Sequence, residues 1–280
     1  MDCINGREKF ICKVINIWYI VNGQGTLLIK NKVTIILFFL FRPLYFNKEE
    51  EFYDRIKDKL SKSFITKYGK VYRKFLKNYK NNYDLTLEQK EALVGILLGD
   101  GYLFRYSLKG DTRLQIEQSY PEKEEYLFSI FDLYKPLVTN YPKIIVRKAD
   151  SRTGKIYKSI AFKTATFKCL NKYHDLFYLN KKKIVPNNIH ELLTARSLAY
   201  WIMDDGGKSH SHQTILHTRA FNKKEVILLQ NALEKNFELK TRIEEKTENQ
   251  WVIYIPIRQK VPLIKIVKPF MHKSMLYKIE

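Results

Sequence analysis

Two apolar stretches of the chain resemble each other: LVGILLGDGYL runs from Leu93 to Leu103, and LAYWIMDDGGK runs from Leu198 to Lys208. Each stretch stops at an aspartate that is followed by glycine. Because both are apolar nearly all round, they predict two helices that are buried on most of their faces. The glycines predict a sharp turn where the chain leaves each helix.

Small residues recur along both predicted helices, at Ala92, Gly95 and Gly99 in the first and at Ala195, Ser197 and Ala199 in the second. Small side chains allow two helix backbones to approach closely, so we expect the helices to pack against each other at the centre of the molecule. Their C-terminal ends would then emerge side by side. This arrangement brings Asp100 and Asp205 together at the floor of a groove.

The segments after both helices follow the same order. After the first, predicted strands and helices cover 113–120, 121–138, 143–150, 155–164 and 165–177; after the second, they cover 214–221, 222–237, 239–246, 250–259 and 260–271. With one short strand after each apolar helix, each half reads α-β-β-α-β-β-α. Such an internal repeat indicates pseudo-twofold symmetry. The predicted fold class is α+β, with two repeats, two saddle-shaped antiparallel sheets and a central two-helix interface.

The repeats also predict the domain organisation. A Thr-x-x-Gln capping box at Thr86 and Gln89 predicts the start of the first apolar helix. We expect the first repeat over 84–190 and the second over 191–280. Residues 1–83 form an extension of unassigned role, in which 1–46 contains short strand-like runs and 47–83 is a linker or a basic arm.

Charge is the strongest global signal in the composition. Lys and Arg number 50 against 29 Asp and Glu, a formal net charge of +21. So large an excess favours a polyanionic partner, which is nucleic acid or, alternatively, an anionic membrane surface. The most apolar run, from Val33 to Phe41, is far shorter than the roughly 20 residues that span a bilayer. The 3 cysteines show no metal-ligand spacing, and their odd number favours a reducing compartment.

The paired aspartates predict a cation site. Two carboxylates at helix C-termini repel each other and face the negative ends of the helix dipoles. A divalent cation relieves both effects, and oxygen ligands suit Mg²⁺, which takes further ligands from substrate phosphate. The alternative, for one such segment alone, is a core helix followed by a turn. Two copies in equivalent places of a basic chain favour the metal site.

The stretches LVGILLGDG and LAYWIMDDG resemble the motifs of the LAGLIDADG homing endonucleases, in the single-chain type that carries two motif copies. The first copy departs from the name-giving nonapeptide but keeps the aspartate at its eighth position. The LAYWxMDDGGK form, with KKxxPNN upstream and MLYK near the C-terminus, is similar to intron-encoded organellar members such as the yeast mitochondrial omega endonuclease. The resemblance covers residues 84–280.

The resemblance implies which residues form the active site. Asp100 and Asp205 are expected to bind Mg²⁺, with the preceding residues Gly99 and Asp204 beside the same metals. One lysine of each repeat is expected to support the chemistry. These lysines are Lys183, with Lys182 as the alternative, and Lys278.

A polar residue on the first long strand of each repeat also lies near the metals in that family. Gln118 matches this position in the first repeat, and His217 or Arg219 would take it in the second. A zinc site formed by His210, His212 and His217 is not favoured, because their spacing fits a helix poorly and no cysteine accompanies them.

The resemblance implies that double-stranded DNA with a long specific target lies across the two sheets, with basic side chains on phosphates and strand residues on base edges. The candidate contacts are Arg113, Gln115, Glu117, Arg147, Lys158, Thr214, Arg219, Arg242, Glu244 and Arg258.

The function implied is a Mg²⁺-dependent, site-specific double-strand DNA endonuclease that acts in intron homing. We expect a monomer in the mitochondrion or, alternatively, in the chloroplast. One alternative function is an RNA maturase that binds its host intron RNA, with or without nuclease activity. Another is a DNA-binding protein without catalysis. Retention of both motif aspartates favours the nuclease.

Overall fold

The structure, a computed structural model, describes residues 77–107, 109–209 and 213–280. They belong to one compact unit, Lys77–Glu280. The predicted strand-like runs of 1–46 and most of the predicted basic arm lie outside the described residues. Residues 77–82 are helical, and Tyr79 and Tyr83 pack on Phe167 of the first repeat. Contacts of this repeat therefore begin before the predicted boundary at residue 84.

The first repeat contains the predicted order of elements. Its central helix is capped at Thr86 by a capping box in which Gln89 completes the reciprocal hydrogen bonds, as the sequence predicts. The elements are α1 (Leu87–Leu98), β1 (Tyr102–Arg105), β2 (Thr112–Ser119), α2 (Glu124–Tyr134), β3 (Lys143–Val146), β4 (Lys158–Lys163) and α3 (Asn171–Phe177).

A short connecting region joins the repeats, and the same order then returns. The connection holds β5 (Tyr178–Leu179), β6 (Lys182–Lys183) and the short α4 (Ile189–Leu192). The second repeat consists of α5 (Ala195–Asp205), β7 (Gly206–Lys208), β8 (Thr214–Leu216), α6 (Lys223–Phe237), β9 (Arg242–Thr247), β10 (Gln250–Ile255) and α7 (Lys260–Val267). A 3-10 helix, Lys273–Lys278, follows.

The two main sheets have equivalent topologies. The first has the strand order β1-β2-β4-β3 and the second has the order β7-β8-β10-β9. Every pairing in both is antiparallel. The predicted α+β fold with two αββαββα repeats is confirmed.

Each long strand has one buried face and one face turned away from the core. On β2, Thr112, Leu114, Ile116 and Gln118 are buried, whereas the alternating residues are partly or fully exposed. We call this second surface the open face of the sheet. Because side chains alternate along a strand, the register of the pairs places Lys163 of β4 beside Gln115 on the open face of the first sheet.

The central interface is formed by α1 and α5, and most residues of both helices are buried. A Cβ atom on Gly95 would collide with the backbone of Ser197, so the two helices touch through their main chains. The Ser197 hydroxyl donates to the carbonyl of Glu91 across this contact, at 2.8 Å. The predicted close packing of small residues is present.

Several predicted elements are longer than the observed ones. The strand predicted over 214–221 ends at Leu216, since its partner β7 begins at Gly206, immediately after the last helical residue, Asp205. His217 N–H still donates to the Asp205 carbonyl at 3.0 Å, in register with the β7–β8 pairs. The helix predicted from Pro121 begins at Glu124, and the helix predicted over 165–177 begins at Asn171 after a 3-10 turn. Among the described residues, no helix combines the length and apolarity that crossing a bilayer requires.

Candidate active site and nucleic-acid interface

The two motif aspartates lie at the C-terminal ends of the paired helices. Asp100 follows α1 and is exposed, and Asp205 is the last residue of α5 and is half-buried. The charge of Asp100 contributes to raising the pKa of Asp205, so the two carboxylates act on one another. Both stand where the helix dipoles are negative, which adds to the cost of their charges.

Asp204 is placed differently from its neighbour. Its side chain is 5% exposed and points across the interface into the first repeat. One oxygen, Oδ1, accepts from Tyr126 OH at 2.9 Å and from Gln118 Nε2 at 3.0 Å, and the other, Oδ2, accepts from the Asp100 N–H at 3.2 Å. Because both oxygens are engaged by protein donors, the geometry does not favour the predicted role of Asp204 as a metal ligand.

Lysine ammonium groups cap the ends of both helices. Lys183 Nζ donates to the carbonyls of Gly99 at 2.9 Å and Gly101 at 2.7 Å. Lys278 Nζ donates to the carbonyls of Met203 at 2.6 Å and Asp204 at 2.9 Å. The Met203 and Asp204 carbonyls belong to the last turn of α5 and the glycine carbonyls follow the end of α1. Cations at helix C-termini are favoured by the helix dipole.

The structure also distinguishes Lys183 from its alternative, Lys182. Lys182, the alternative to Lys183, is exposed and lies in the same two-residue strand, so only Lys183 reaches the helix end. Burial lowers the pKa of Lys183, and burial with the charge of Lys123 lowers the pKa of Lys278 to about 8. Nearby aspartate charges oppose both effects.

A third lysine stands at the same site and was not predicted. Lys123 Nζ lies 3.5 Å from Asp100 Oδ2 and 3.4 Å from the Asp204 carbonyl oxygen. It lies in the turn before α2, beside Tyr126, and no local pattern in PEKEEYLF distinguishes it from a surface lysine. Only the folding of α2 over the end of α5 brings both residues to the aspartates.

The pKa values show that negative charge at this site is incompletely offset. Burial first, and then the charge of Asp100, raise the pKa of Asp204 to about 7 and that of Asp205 to about 6. Among the described residues, no hydrogen bond reaches the carboxylate of Asp205, so its oxygens are free to take a cation. Among the same residues, no hydrogen bond reaches Oδ1 of Asp100, whereas its Oδ2 accepts from Gln118 and Lys123.

The donor set fits a divalent cation with oxygen ligands. In the part of the chain that the structure describes, no three His, Cys, Asp or Glu side chains converge on one point. A cation here would therefore take few side-chain carboxylates and complete its shell from backbone, water and substrate oxygens. Mg²⁺ binds in this way in many phosphoryl-transfer sites. Asp100 and Asp205 would hold such cations.

Gln118 lies where it was predicted, at the active-site end of β2. It is 3% exposed, and its Nε2 donates to Asp100 Oδ2 at 3.1 Å as well as to Asp204. In the second repeat His217 is the nearer of the two predicted counterparts, because its N–H bonds Asp205 and its ring Nε2 lies against Gly207. Burial, followed by the charges of Arg219 and Lys278, lowers the pKa of His217. His210 and His212, from which a zinc site was not favoured, lie outside the described residues.

The open face of the first sheet carries most of the predicted DNA contacts of that repeat. Arg113, Gln115 and Glu117 alternate along β2, and Arg113 stacks its guanidinium over the ring of Phe104, 4.8 Å from the centroid. Glu117 accepts from Arg147 and from the Ser159 hydroxyl. Arg147 lies one residue beyond β3 but keeps its place on this face.

The open face of the second sheet is formed by a cluster of charged and aromatic side chains. Arg242 and Lys246 both lie over the ring of Tyr254, at 4.8 and 4.7 Å from its centroid. Glu244 pairs with both cations, each at 2.8 Å. Arg242 and Glu244 were predicted as contacts, whereas Lys246 and Tyr254 were not, although the alternation of β9 and β10 would have indicated them.

Four predicted contacts lie elsewhere. Thr214 is 6% exposed on the buried face of β8, so it is not available to a duplex. Lys158 shares the side of β4 that buries Ile160, and it is exposed only because it ends the strand. Arg219 stands in a turn after β8, and Arg258 lies in a 3-10 helix, where a strand was predicted.

Comparison with known proteins agrees with this architecture. Residues 90–261 match the model of the LAGLIDADG DNA endonuclease family. A probable intron-encoded endonuclease of Wickerhamomyces canadensis is 34% identical over 216 residues, which cover 74% of this chain and 90% of that protein. The cytochrome b mRNA maturase bI2 of Debaryomyces hansenii is 34% identical over 202 residues, covering 71% of this chain and 76% of the maturase.

A solved structure shares the fold. The homing endonuclease I-WcaI, determined with its bound DNA recognition sequence, is 31% identical and superposes with a TM-score of 0.67. The match covers 73% of this chain and 92% of that chain. With a family match over more than half of its length and two repeats around paired Asp-Gly helix ends, the chain belongs to the LAGLIDADG DNA endonuclease family.

Proposed function

We propose that the protein is a Mg²⁺-dependent, site-specific double-strand DNA endonuclease. The observation that carries the proposal is the meeting of Asp100 and Asp205 at two abutting helix ends, between two sheets with charged open faces. The similarity to an intron-encoded endonuclease and to a homing endonuclease with bound DNA supports the same reaction.

Each residue of the site has a role in this proposal. Asp100 and Asp205 hold the cations, one for the cutting of each DNA strand. When bound, Mg²⁺ offsets negative charge on the attacking and leaving oxygens of the phosphate. Lys183 and Lys278 hold positive charge beside the scissile phosphates, and Gln118 orients the attacking water in the first repeat. His217, whose pKa is lowered, is a neutral hydrogen-bonding group at the matching place in the second.

The open faces supply target recognition. Arg113, Arg147 and Arg242 contact phosphates, and Gln115, Glu117 and Glu244 reach base edges, since polar side chains at alternate strand positions match groups in the major groove. The formal charge of +21 adds a sequence-independent attraction for the duplex. We propose a monomer in which residues 84–190 and 191–280 each contact one half of a long target, with residues 1–83 as an extension.

The proposed biological role is intron homing in an organelle. It rests on relatives named for intron-encoded endonucleases and for a cytochrome b mRNA maturase. We place the protein in the mitochondrion, with the chloroplast as the alternative.

A cleavage assay tests the proposal. Duplexes retained by the full chain in EDTA are selected from a randomised library, cloned into a supercoiled plasmid and incubated with Mg²⁺. We expect a linear product. Asp100→Asn and Asp205→Asn should retain binding and lose cutting by roughly 100-fold or more, as expected when one metal-holding carboxylate is removed. Undiminished cutting by the double variant would contradict the assignment.

The second candidate function is an RNA maturase. It is favoured by the similarity to a cytochrome b mRNA maturase along 71% of this chain. A transcript of the intron that carries this reading frame, incubated with the protein, separates the two functions. Accelerated splicing without any DNA cutting would support the maturase alone, and cutting without an effect on splicing would support the endonuclease alone.

A further inference from the structure

We call each motif aspartate, together with the groups around it, a cutting centre: Asp100 marks the first-repeat centre and Asp205 the second. The residue that precedes the motif aspartate differs between the two centres. In the first motif that residue is Gly99, and in the second it is Asp204. The two face each other: a Cβ atom on Gly99 would collide with Cβ of Asp204. The absent side chain of the first motif therefore makes the room that the carboxylate of the second motif fills.

Asp204 belongs to the second repeat, yet among the described residues its carboxylate bonds only to groups of the first. Its donors come from three separate segments: Gln118 at the end of β2, Tyr126 in α2, and the backbone N–H of Asp100 after α1. At 5% exposure it is almost withdrawn from water. All three partners donate, so an acceptor with two oxygens is required, and an amide would turn an N–H₂ group toward a donor.

The shared amide of Gln118 links this carboxylate to the cutting centre. Its Nε2 donates to Asp100 Oδ2 at 3.1 Å and to Asp204 Oδ1 at 3.0 Å. With both hydrogens engaged, the amide plane is fixed and Oε1 turns away from the carboxylates. The orientation of Asp100 is fixed twice, through its side chain by Gln118 and through its backbone by Asp204.

The second centre has no such support. The residue that corresponds to Asp204 is Gly99, which has no side chain, and the place of Gln118 is taken by His217. No carboxylate of the first repeat reaches Asp205 in the described part of the chain. The asymmetry of the two centres is therefore built into the covalent sequence.

We propose that Asp204 is a positioning residue of the first-repeat cutting centre alone, so that its loss slows the cutting of one DNA strand and spares the other. This inference rests on the proposed endonuclease function. It assigns to one carboxylate of the second repeat a task in the chemistry of the first.

Strand-resolved cleavage tests the inference. A supercoiled plasmid carrying the selected target is cut with Mg²⁺ by the full chain, and the same target, labelled on each strand in turn, gives two rate constants. For Asp204→Asn we expect one strand to be cut roughly 10- to 100-fold more slowly, the usual effect of losing a partner that orients a metal-holding group. The other strand should change less than about 2-fold, and nicked plasmid should accumulate.

Two further variants identify the centre. Tyr126→Phe removes one donor to Asp204 without changing charge, and Gln118→Ala removes the linking amide; both should slow the same strand as Asp204→Asn. Asp132→Asn makes the same chemical change on the exposed side of α2 and should leave both rates as in the wild type. If Asp204→Asn does not fold, the cleavage rates of the two DNA strands by Tyr126→Phe test the inference in its place.

The outcomes separate this inference from the proposed function. A wild-type protein that cuts neither strand would refute the endonuclease proposal itself. A wild-type protein that cuts both strands, with Asp204→Asn slowing them equally or not at all, would overturn only the positioning role, because a general loss of structure affects the strands alike.

Discussion

At the residue scale, the aspartates at the helix ends are destabilising groups that the fold retains. Burial and mutual repulsion raise the pKa of Asp204 to about 7 and that of Asp205 to about 6, from an ordinary value of 3.8. Between pH 3.8 and these raised pKa values, the two aspartates of the folded protein hold protons that the same residues of the unfolded chain have released. By linkage, ionising these groups costs folding free energy.

The metal-free protein should lose stability as the pH rises from about 4 to about 7. In this window the two aspartates hold more protons in the folded state than in the unfolded state, so their contribution to the slope of unfolding free energy against pH is negative. The lowered pKa values of Glu117 and His217 act in the opposite direction. Each pKa unit corresponds to about 1.4 kcal/mol, so the two shifts together would contribute a loss of roughly 7 kcal/mol. Urea unfolding in EDTA, at several pH values, measures it.

The matched variant for this measurement is Asp204→Asn. It removes the group with the larger shift, so the decline should become shallower and end near pH 6, where Asp205 has ionised. The comparison uses slopes rather than absolute stabilities, because the amide also changes the hydrogen bonds of the site. Parallel curves for the two proteins would mean that Asp204 is not protonated in the folded state.

Mg²⁺ should stabilise the folded protein in the absence of DNA. A ligand that binds only the folded state adds about 2.7 kcal/mol at 100 times its dissociation constant. Thermal unfolding with increasing Mg²⁺ should show a rising midpoint, and the rise should be lost in Asp100→Asn/Asp205→Asn. A midpoint that rises equally in that double variant would place the cation elsewhere.

The paired helix ends predicted that Asp100 and Asp205 come together, and the family resemblance pointed to Lys183, Lys278 and Gln118. All five stand at the helix ends or beside them. Lys123 and Tyr126 could not be predicted, because nothing in their own segment marks them. Their place depends on how α2 crosses the end of α5, which is a property of the packed chain.

At the scale of elements, the contact between α1 and α5 sets the geometry of the site. The helix backbones touch at Gly95 and Ser197, and this contact brings Gly99 against Asp204. Any side chain at Gly95 would separate the helices and with them the two carboxylates. The small residues predicted this contact, but they did not reveal that Asp204 crosses it.

Gly95→Ala should therefore destabilise the protein and impair cutting together. Overpacking a close contact of this kind costs about 1–3 kcal/mol. The matched control is Gly110→Ala, where the atom nearest to a Cβ would be the Ser107 hydroxyl oxygen at 3.3 Å, which can rotate away. The expected change in unfolding free energy there is under about 0.5 kcal/mol. Equal stability of the two variants in urea would mean that the helices separate without cost.

Strand boundaries were predicted less well than strand faces. Alternation correctly placed Arg113, Gln115 and Glu117 on one face of β2. The end of β8 was missed, because it depends on where its partner β7 begins, at Gly206 directly after α5, and that boundary is a property of the packed chain. Thr214 was misassigned for a related reason, since its short strand offers too few residues to reveal which face is buried.

At the scale of the whole molecule, two similar halves present two open faces around one pair of carboxylates. The equivalent strand orders of the sheets make these faces comparable surfaces. The repeated order of apolar helix, strands and helices was enough to predict this plan. One apolar helix that ends in Asp-Gly is equally typical of an ordinary core helix, and the second copy in an equivalent place made the prediction specific.

The open faces should account for the salt dependence of DNA binding. Lys163 is exposed on the open face of the first sheet, whereas Lys235 is exposed on α6, which packs against the buried face of the second sheet. Removing one lysine that binds a phosphate should reduce the slope of log K against log salt by about 0.9. Lys163→Gln should show this reduction in fluorescence titrations with the selected duplex in EDTA, and Lys235→Gln should keep the wild-type slope. Because both substitutions lower the net charge equally, equal slopes for the two variants would show that total charge, rather than the open face, drives binding.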